Sequence, residues 1–324
     1  MQSEIRTTYN PANSVNVSFT DYVNKRKMME SSRMSGNGLP NYAYAMDYEL
    51  RKKLDAIPHL YNIGRKICAT YVSRQTKFYN IHAVKVGPTQ FEDVYDMGCD
   101  CAKTLGIGIP NIFIHNDQSL NAFTYAFDDF EPIIVLHSGL YERMTPGELR
   151  CIIGHECGHI HNQHGVYNLL GQLLLNVGLG SAGAYIPAEL LNLLTLGSQI
   201  ALKTWSRAAE VTCDRAGMIC AEDLNDAYTS EAKLMYGAAF GEHKIDFSAI
   251  RSQLDTQVGN ITKYEELFYD HPTTARRIAA EMEFAECEVL YQWRPELKTP
   301  GQIMRTKQET DKRCRKVIDL TEKG

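Results

Sequence analysis

Four histidines, a cysteine and a glutamate fall within thirteen consecutive residues, IIGHECGHIHNQH at 152–164. Residues four apart on an α-helix lie on one face, one turn above each other. His155 and His159 can therefore present two imidazoles to a single metal ion. Glu156 sits one position on, beside the ion rather than on it, where it can hydrogen-bond a metal-bound water. This is the H-E-x-x-H arrangement: two ligands plus a general base, suited to attack of water on a carbonyl. Zinc lowers the water's pKa to about 7, and the glutamate takes the proton and later delivers it to the leaving amine. Five residues with two wildcards also arise by accident, and then the two histidines are merely exposed or satisfied in a core.

A catalytic zinc needs a third ligand. The longer motif, with a glycine after the second histidine and a third histidine beyond it, fails because the required positions hold Asn162 and Gly165. His161 and His164 are two and five residues past His159, off the face of the pair, and are expected on the surface or in support. Cys157 points to the other side of the helix and reads as a small hydrophobe. The stronger candidates lie in WSRAAEVTCDRAGMICAEDL, where Glu210 and Asp214 are again four apart on a helical pattern. One carboxylate can bind the ion while the other accepts a hydrogen bond from a ligating imidazole and fixes its tautomer. Glu210 follows His159 by 51 residues, room for a helical hairpin that brings a second helix back. The ordinary alternative for Glu210 is a salt bridge with Arg207 or Arg215.

The first cluster needs a helix, and the sequence supplies its ends. In TPGELRCIIGHECGHIHNQHG, Thr145 is the expected N-cap, Pro146 takes the first helical position, Glu148 completes a capping box and Gly165 supplies the stop. That makes a helix of about five turns. Three short strands are expected just upstream: NIFIH (111–115), NAFTYAF (121–127) and PIIVLH (132–137). Thr89 and Glu92 stand at capping-box spacing before another amphipathic helix, and Asp47 is a candidate cap for a helix carrying Leu50, Leu54 and Ile57 and stopped by Pro58. A second helical stretch begins at Leu60.

The 324 residues suffice for a sizeable core, and 44% hydrophobic with 23% charged residues is ordinary for a globular protein. A net charge of −5 with no long basic run argues against nucleic-acid partners. The polar start MQSEIRTTYN has no apolar run behind it, so no secretory signal is expected. Nine cysteines, an odd number without a CxxC pair, fit reduced thiols in a cytoplasm. The pair Cys99 and Cys101 is expected to be one buried and one flanking thiol. Residues 165–188 carry no charge, but Asn168, Gln172, Asn176 and several glycines interrupt them. A buried helical hairpin over 165–202 is favoured above a membrane span, and membrane association is the less favoured reading. The organisation expected is a polar extension over 1–40, a catalytic domain over 41–293 and a charged tail or solvated helix over 294–324.

Taken together, NAF, SGLYERMTPGELRCIIGHECGHI, SRAAEVTCDRAG and DHPTTARRI, in that order and spacing, resemble the M48 family of zinc metallopeptidases in the gluzincin clan. The resemblance runs from about residue 41 to residue 282. It implies one α+β fold, helix-rich and zincin-like, with a small mixed β-sheet over the active-site helix. It implies a single zinc ion held by His155, His159 and Glu210, with Glu156 as general base and Asp214 hydrogen-bonded behind a ligand. It implies that Asn121, Ala122 and Phe123 form the cleft's upper rim and pair with an extended peptide or unfolded protein chain by β-augmentation. In the residues alone, that strand is equally an ordinary sheet edge. It implies His271 near the cleft, where it can donate to the developing oxyanion, and Arg277 as a nearby electrostatic partner. From the residues alone, His271 is a helix N-terminal feature, and Tyr125 or another tyrosine can fill the oxyanion role. Many family members carry clear transmembrane helices around the catalytic helix, where this chain is weakly hydrophobic. The function expected is a zinc metalloendopeptidase. The alternatives are a catalytically idle zinc-binding scaffold or chaperone-like protein of the same fold, or a membrane-associated quality-control protease.

Overall fold

A computed structural model describes residues 39–127, 130–178, 196–237, 245–256 and 272–319. Most of the expected extension at 1–40, the centre of the expected hairpin (179–195) and His271 lie outside the described residues.

Four strands form one mixed sheet: β1 (Ala83–Lys85), β2 (Asn111–His115), β3 (Ala122–Phe127) and β4 (Phe130–His137). Their spatial order is β1-β2-β4-β3, with β2 and β4 parallel and the other two pairings antiparallel. The three strands expected from β-branched and aromatic runs are therefore present, and β3 is an edge strand. Alternation of side chains across β3 then sorts its residues. Phe123 and Tyr125 pack beside Tyr79 of the long helix α2 (Leu60–His82), while Thr124 reaches the catalytic helix on the opposite face.

Helix α1 (Ala45–Asp55) precedes α2, and α3 (Glu92–Leu105) follows β1. Two expected caps are overturned here. Asp47 is not an N-cap but lies inside the first turn of α1, 2% exposed, with Tyr44 in the cap position. Thr89 does not cap α3 either. Phe91 occupies that cap with φ of 54° and no side-chain hydrogen bond. After β4 come the short helix α4 (Ser138–Arg143) and then α5 (Pro146–His161), the helix of the histidine cluster. Its N-terminus follows local rules: the Thr145 hydroxyl accepts from the Glu148 amide, and the Glu148 carboxylate accepts from the Thr145 amide at 2.8 Å. Its C-terminus does not. The helix ends at His161, Gln163 takes the left-handed conformation at φ 57°, and Gly165 opens α6 (Gly165–Gly178) instead of stopping α5. A Cβ on Gly165 would stand 1.5 Å from the Ala126 carbonyl oxygen, so close approach to β3 is what requires glycine there.

The centre of the molecule is α5 against α7 (Leu196–Cys220), which carries Glu210 and Asp214. Small residues let these two backbones approach. A Cβ on Gly158 would meet the Ala216 Cβ at 2.8 Å and the Cys213 Cα at 3.0 Å. One apolar core lies under the sheet and around this pair, including Ile112, Ile134, Ile153, Cys157 and Ile219; another joins α2, α6 and α7 around Leu170 and Trp205. Around them lie α8 (Leu224–Tyr236), α9 (Phe247–Thr256), α10 (Thr274–Phe284), α11 (Glu288–Trp293) and α12 (Lys307–Ile318).

The charged run after Arg294 is more than a solvated helix. In α12, Cys314 and Ile318 are buried against Ala208 and Val211 of α7, and Asp311 pairs with the buried Arg215 at 2.8 Å. All nine cysteines are buried and unbridged, so Cys99 and Cys101 are both core thiols rather than one buried and one flanking. No described helix is long and apolar enough to cross a membrane.

Candidate metal centre

The helical period brings His155 and His159 onto one face of α5, their ring centroids 5.1 Å apart. Close packing of α7 then places Glu210 opposite them. One Glu210 oxygen lies 3.4 Å from Nε2 of His155 and the other 3.5 Å from Nε2 of His159. Arg207 and Arg215, its alternative partners, engage Thr204 and Asp311.

Each imidazole is held from behind. Nδ1 of His155 lies 2.9 Å from Oδ1 of Asp214, one turn beyond Glu210 on α7. Asp214 is itself clamped by Arg277 of α10, whose Nε donates to Oδ2 at 3.0 Å and whose Nη2 donates to Oδ1. Nδ1 of His159 lies 3.0 Å from Nδ1 of His164, and Nε2 of His164 lies 3.0 Å from the Asp47 carboxylate. With His164 donating to Asp47 through Nε2, its Nδ1 accepts from Nδ1–H of His159. That leaves the Nε2 lone pair of His159 facing Glu210. Two nitrogen lone pairs and a carboxylate thus converge, each ring fixed through its far nitrogen. This donor set fits a zinc-like ion.

His161 and His164 are not surface groups: they are 4% and 1% exposed. His164 supports His159, and His161 is hydrogen-bonded to the Tyr42 hydroxyl at 2.9 Å. Cys213 also offers Sγ within 4.8 Å of ligand atoms of His155 and His159. It stands 3.5 Å from Nδ1 of His164, on the supporting side of the His159 ring. Burial pushes its thiol well above the ordinary 9, and a protonated thiol is a poor ligand.

Glu156 is 5% exposed and borders the same cavity as the two histidines, a cleft of about 400 Å³. Its Oε2 accepts a 2.6 Å hydrogen bond from Thr124 on β3. Burial raises its pKa above 4.5, against the lowering pull of His155 and of the Thr124 hydroxyl. A carboxylate raised in this direction is better matched to taking and returning a proton near neutrality. For His155, burial works against the charged ring, but its hydrogen bonds to Asp214 and Glu210 prevail and raise its pKa well above 6.5. Proton and metal therefore compete for that ring.

Asn121, Ala122 and Phe123 border the cleft on the sheet side. Tyr125 borders it too, but its ring packs on Tyr71 and Tyr79 of α2. The residues that sequence reasoning did not single out are Thr124, Asp47 in its buried role, and two acids of the cleft, Glu231 and Glu281. None has a spacing signal, because each meets the site through tertiary contact alone.

Comparison with known proteins agrees with this arrangement. The model of peptidase family M48 matches residues 88–283. A plastoglobule-localized metallopeptidase 48 of Arabidopsis thaliana is 29% identical over 214 residues, covering 66% of this chain and 60% of its own. Protease HtpX of Xylella fastidiosa strain M12 is 26% identical over 209 residues, covering 55% of this chain and 68% of its own. Among solved structures, Ste24p of S. mikatae aligns at a TM-score of 0.41 and 15% identity, over 72% of this chain and 61% of that one. The chain thus spans about 60% of the length of the plant relative. Matched over more than half of its residues, the chain belongs to peptidase family M48.

Proposed function

We propose that the chain is a zinc-dependent endopeptidase that hydrolyses internal bonds of peptides or unfolded protein segments. The observation that carries this reading is the convergence on one cleft of Nε2 of His155, Nε2 of His159 and both Glu210 oxygens, with the buried Glu156 beside them. In this reading His155, His159 and Glu210 hold one ion. When bound, that ion supplies Lewis acidity, polarising a carbonyl and bringing the pKa of water toward about 7.

The chain's own groups do the rest. Edge strand β3 offers unpaired backbone to an extended substrate, held at Asn121, Ala122 and Phe123. Glu156 takes the proton from the attacking water and passes it to the leaving amine, oriented by Thr124. Asp214 and Arg277 keep the His155 ring in place, and His164 does so for His159. His271, outside the described residues, is assigned as oxyanion donor on its motif. Support for a reducing compartment comes from nine unbridged thiols.

The test compares wild type, Glu156→Gln and Glu210→Ala on a peptide library, with zinc measured in each. Glu156→Gln is expected to keep stoichiometric zinc and lose cleavage by at least about 100-fold, the scale of a general base. Glu210→Ala is expected to lose tight zinc. Undiminished turnover by purified Glu156→Gln would sink the mechanism.

A further inference from the structure

The cleft contains acidity that hydrolysis does not use. Glu231 of α8 and Glu281 of α10 border the same cavity as His155 and Glu156, and are 5% and 3% exposed. Together with Asp214 they bring three carboxylate oxygens within 4.8 Å of one another. Asp214 is already engaged through both oxygens, by His155 and Arg277. Oε1 of Glu231 lies 2.9 Å from Nη2 of Arg277. What remains is Oε2 of Glu231 and Oε2 of Glu281, two buried oxygens with no hydrogen-bond partner. Burial leaves the Glu281 carboxyl well above 4.5 and pushes Glu231 up to about 7, against the pull of Arg277 on both. A cation entering beside them favours their ionised form and satisfies both oxygens.

We infer that Glu231 and Glu281 form a specificity subsite that receives the charged head of a lysine or arginine flanking the scissile bond. The inference rests on the reading of the cleft as a peptide site. Three observations select this occupant. The two oxygens are open to the cavity in which a substrate would lie. The cavity wall beside them includes Ile152, Leu140 and Leu234, apolar surface of the kind that covers the methylene stem of a basic side chain. A hard divalent cation is the poorer fit, because it needs about six oxygens and would sit beside the Arg277 guanidinium. An ammonium or guanidinium offers several N–H donors to the two acceptors that remain.

The test uses the full-length, zinc-loaded chain carrying Glu156→Gln, so that peptides bind without being consumed. Fluorescein-labelled octapeptides move one lysine along an otherwise constant sequence, each paired with a peptide having norleucine at that position. Binding is read by anisotropy. In one register, lysine is expected to bind about tenfold or more tightly than norleucine, the scale of a charge-assisted hydrogen bond. Adding Glu281→Gln or Glu281→Met should bring that ratio below about threefold. Methionine keeps the volume without the charge, and Glu231→Gln carries the same test if neither Glu281 variant folds. The subsite is refuted if no register prefers lysine, or if the preference survives these substitutions. Digestion of the same peptides by the chain with Glu156 intact separates the two claims. Failure to cleave any of them would refute the hydrolytic reading, while anisotropy still decides the subsite.

Discussion

Replacing Asp47 by alanine should destabilise the whole protein and loosen the metal centre, although the carboxylate touches none of the three proposed ligands. Asp47 is 2% exposed and accepts three hydrogen bonds: from Trp205 Nε1 at 2.8 Å, Thr212 Oγ1 at 2.8 Å and His164 Nε2 at 3.0 Å. Each buried donor left without an acceptor costs about 1–3 kcal/mol. The Thr212 hydroxyl can rotate to another acceptor, so two donors remain stranded in Asp47→Ala and the cavity adds to them. The expected loss is about 3–5 kcal/mol, in line with breaking a buried charged pair. Chemical denaturation reads it. His164 would also lose the contact that orients its ring under His159, and removal of such a supporting partner typically lowers metal affinity about 10–100-fold. A competition assay with a chelating dye reads that. Asp47→Asn separates charge from shape. Burial alone would raise the Asp47 pKa, but the attraction and hydrogen bond of His164, with the Thr212 hydroxyl, outweigh it and hold the pKa below 3.8. A depressed carboxylate contributes stability that is fully present above its unfolded pKa and is lost as pH falls through the folded value. The stability gap between wild type and Asp47→Asn should therefore be constant above about pH 5 and shrink below about pH 4. A cost under about 1 kcal/mol for Asp47→Ala, or a gap that does not shrink in acid, would refute the reasoning.

Other substitutions probe how the site is assembled. Gly158→Ala places a methyl 2.8 Å from Ala216 and 3.0 Å from the Cys213 backbone, so α5 and α7 must part. The expected cost is about 1–3 kcal/mol with weaker zinc retention, because Glu210 and Asp214 move with α7; a thermal melt and metal analysis check both. Thr124→Val removes the 2.6 Å donor to Glu156 while keeping its shape. kcat/KM should fall about 10–100-fold. That hydroxyl lowers the Glu156 pKa, so the acid limb of the pH–rate profile should move upward; an unmoved limb would mean that the hydroxyl does not act on the base.

Much of this centre is written in contiguous residues. The capping box of Thr145 and Glu148 starts α5, and the helical period sets His155 over His159 and Glu210 over Asp214. These follow from local geometry, which needs only residues three or four apart. The ends that failed were those decided from a distance. Gly165 resembles a helix stop, yet its lack of a side chain answers to the Ala126 carbonyl. Asp47 resembles a cap, yet its carboxylate is claimed by Trp205 and Thr212, more than 150 residues away.

By itself, the sequence determined the chemistry available: two imidazoles, a base between them and a later pair of carboxylates at matching helical spacing. The tertiary structure decided which atoms meet. It placed Glu210 across from both histidines, turned His164 from a bystander into a support, put Thr124 on the base and left Glu231 and Glu281 with unanswered oxygens in the cleft. The division has a physical cause. Helical phase is a property of a few consecutive residues, whereas a hydrogen bond between elements exists only after close packing, here of α5 on α7 and under the sheet, has fixed their separation to within an ångström or so.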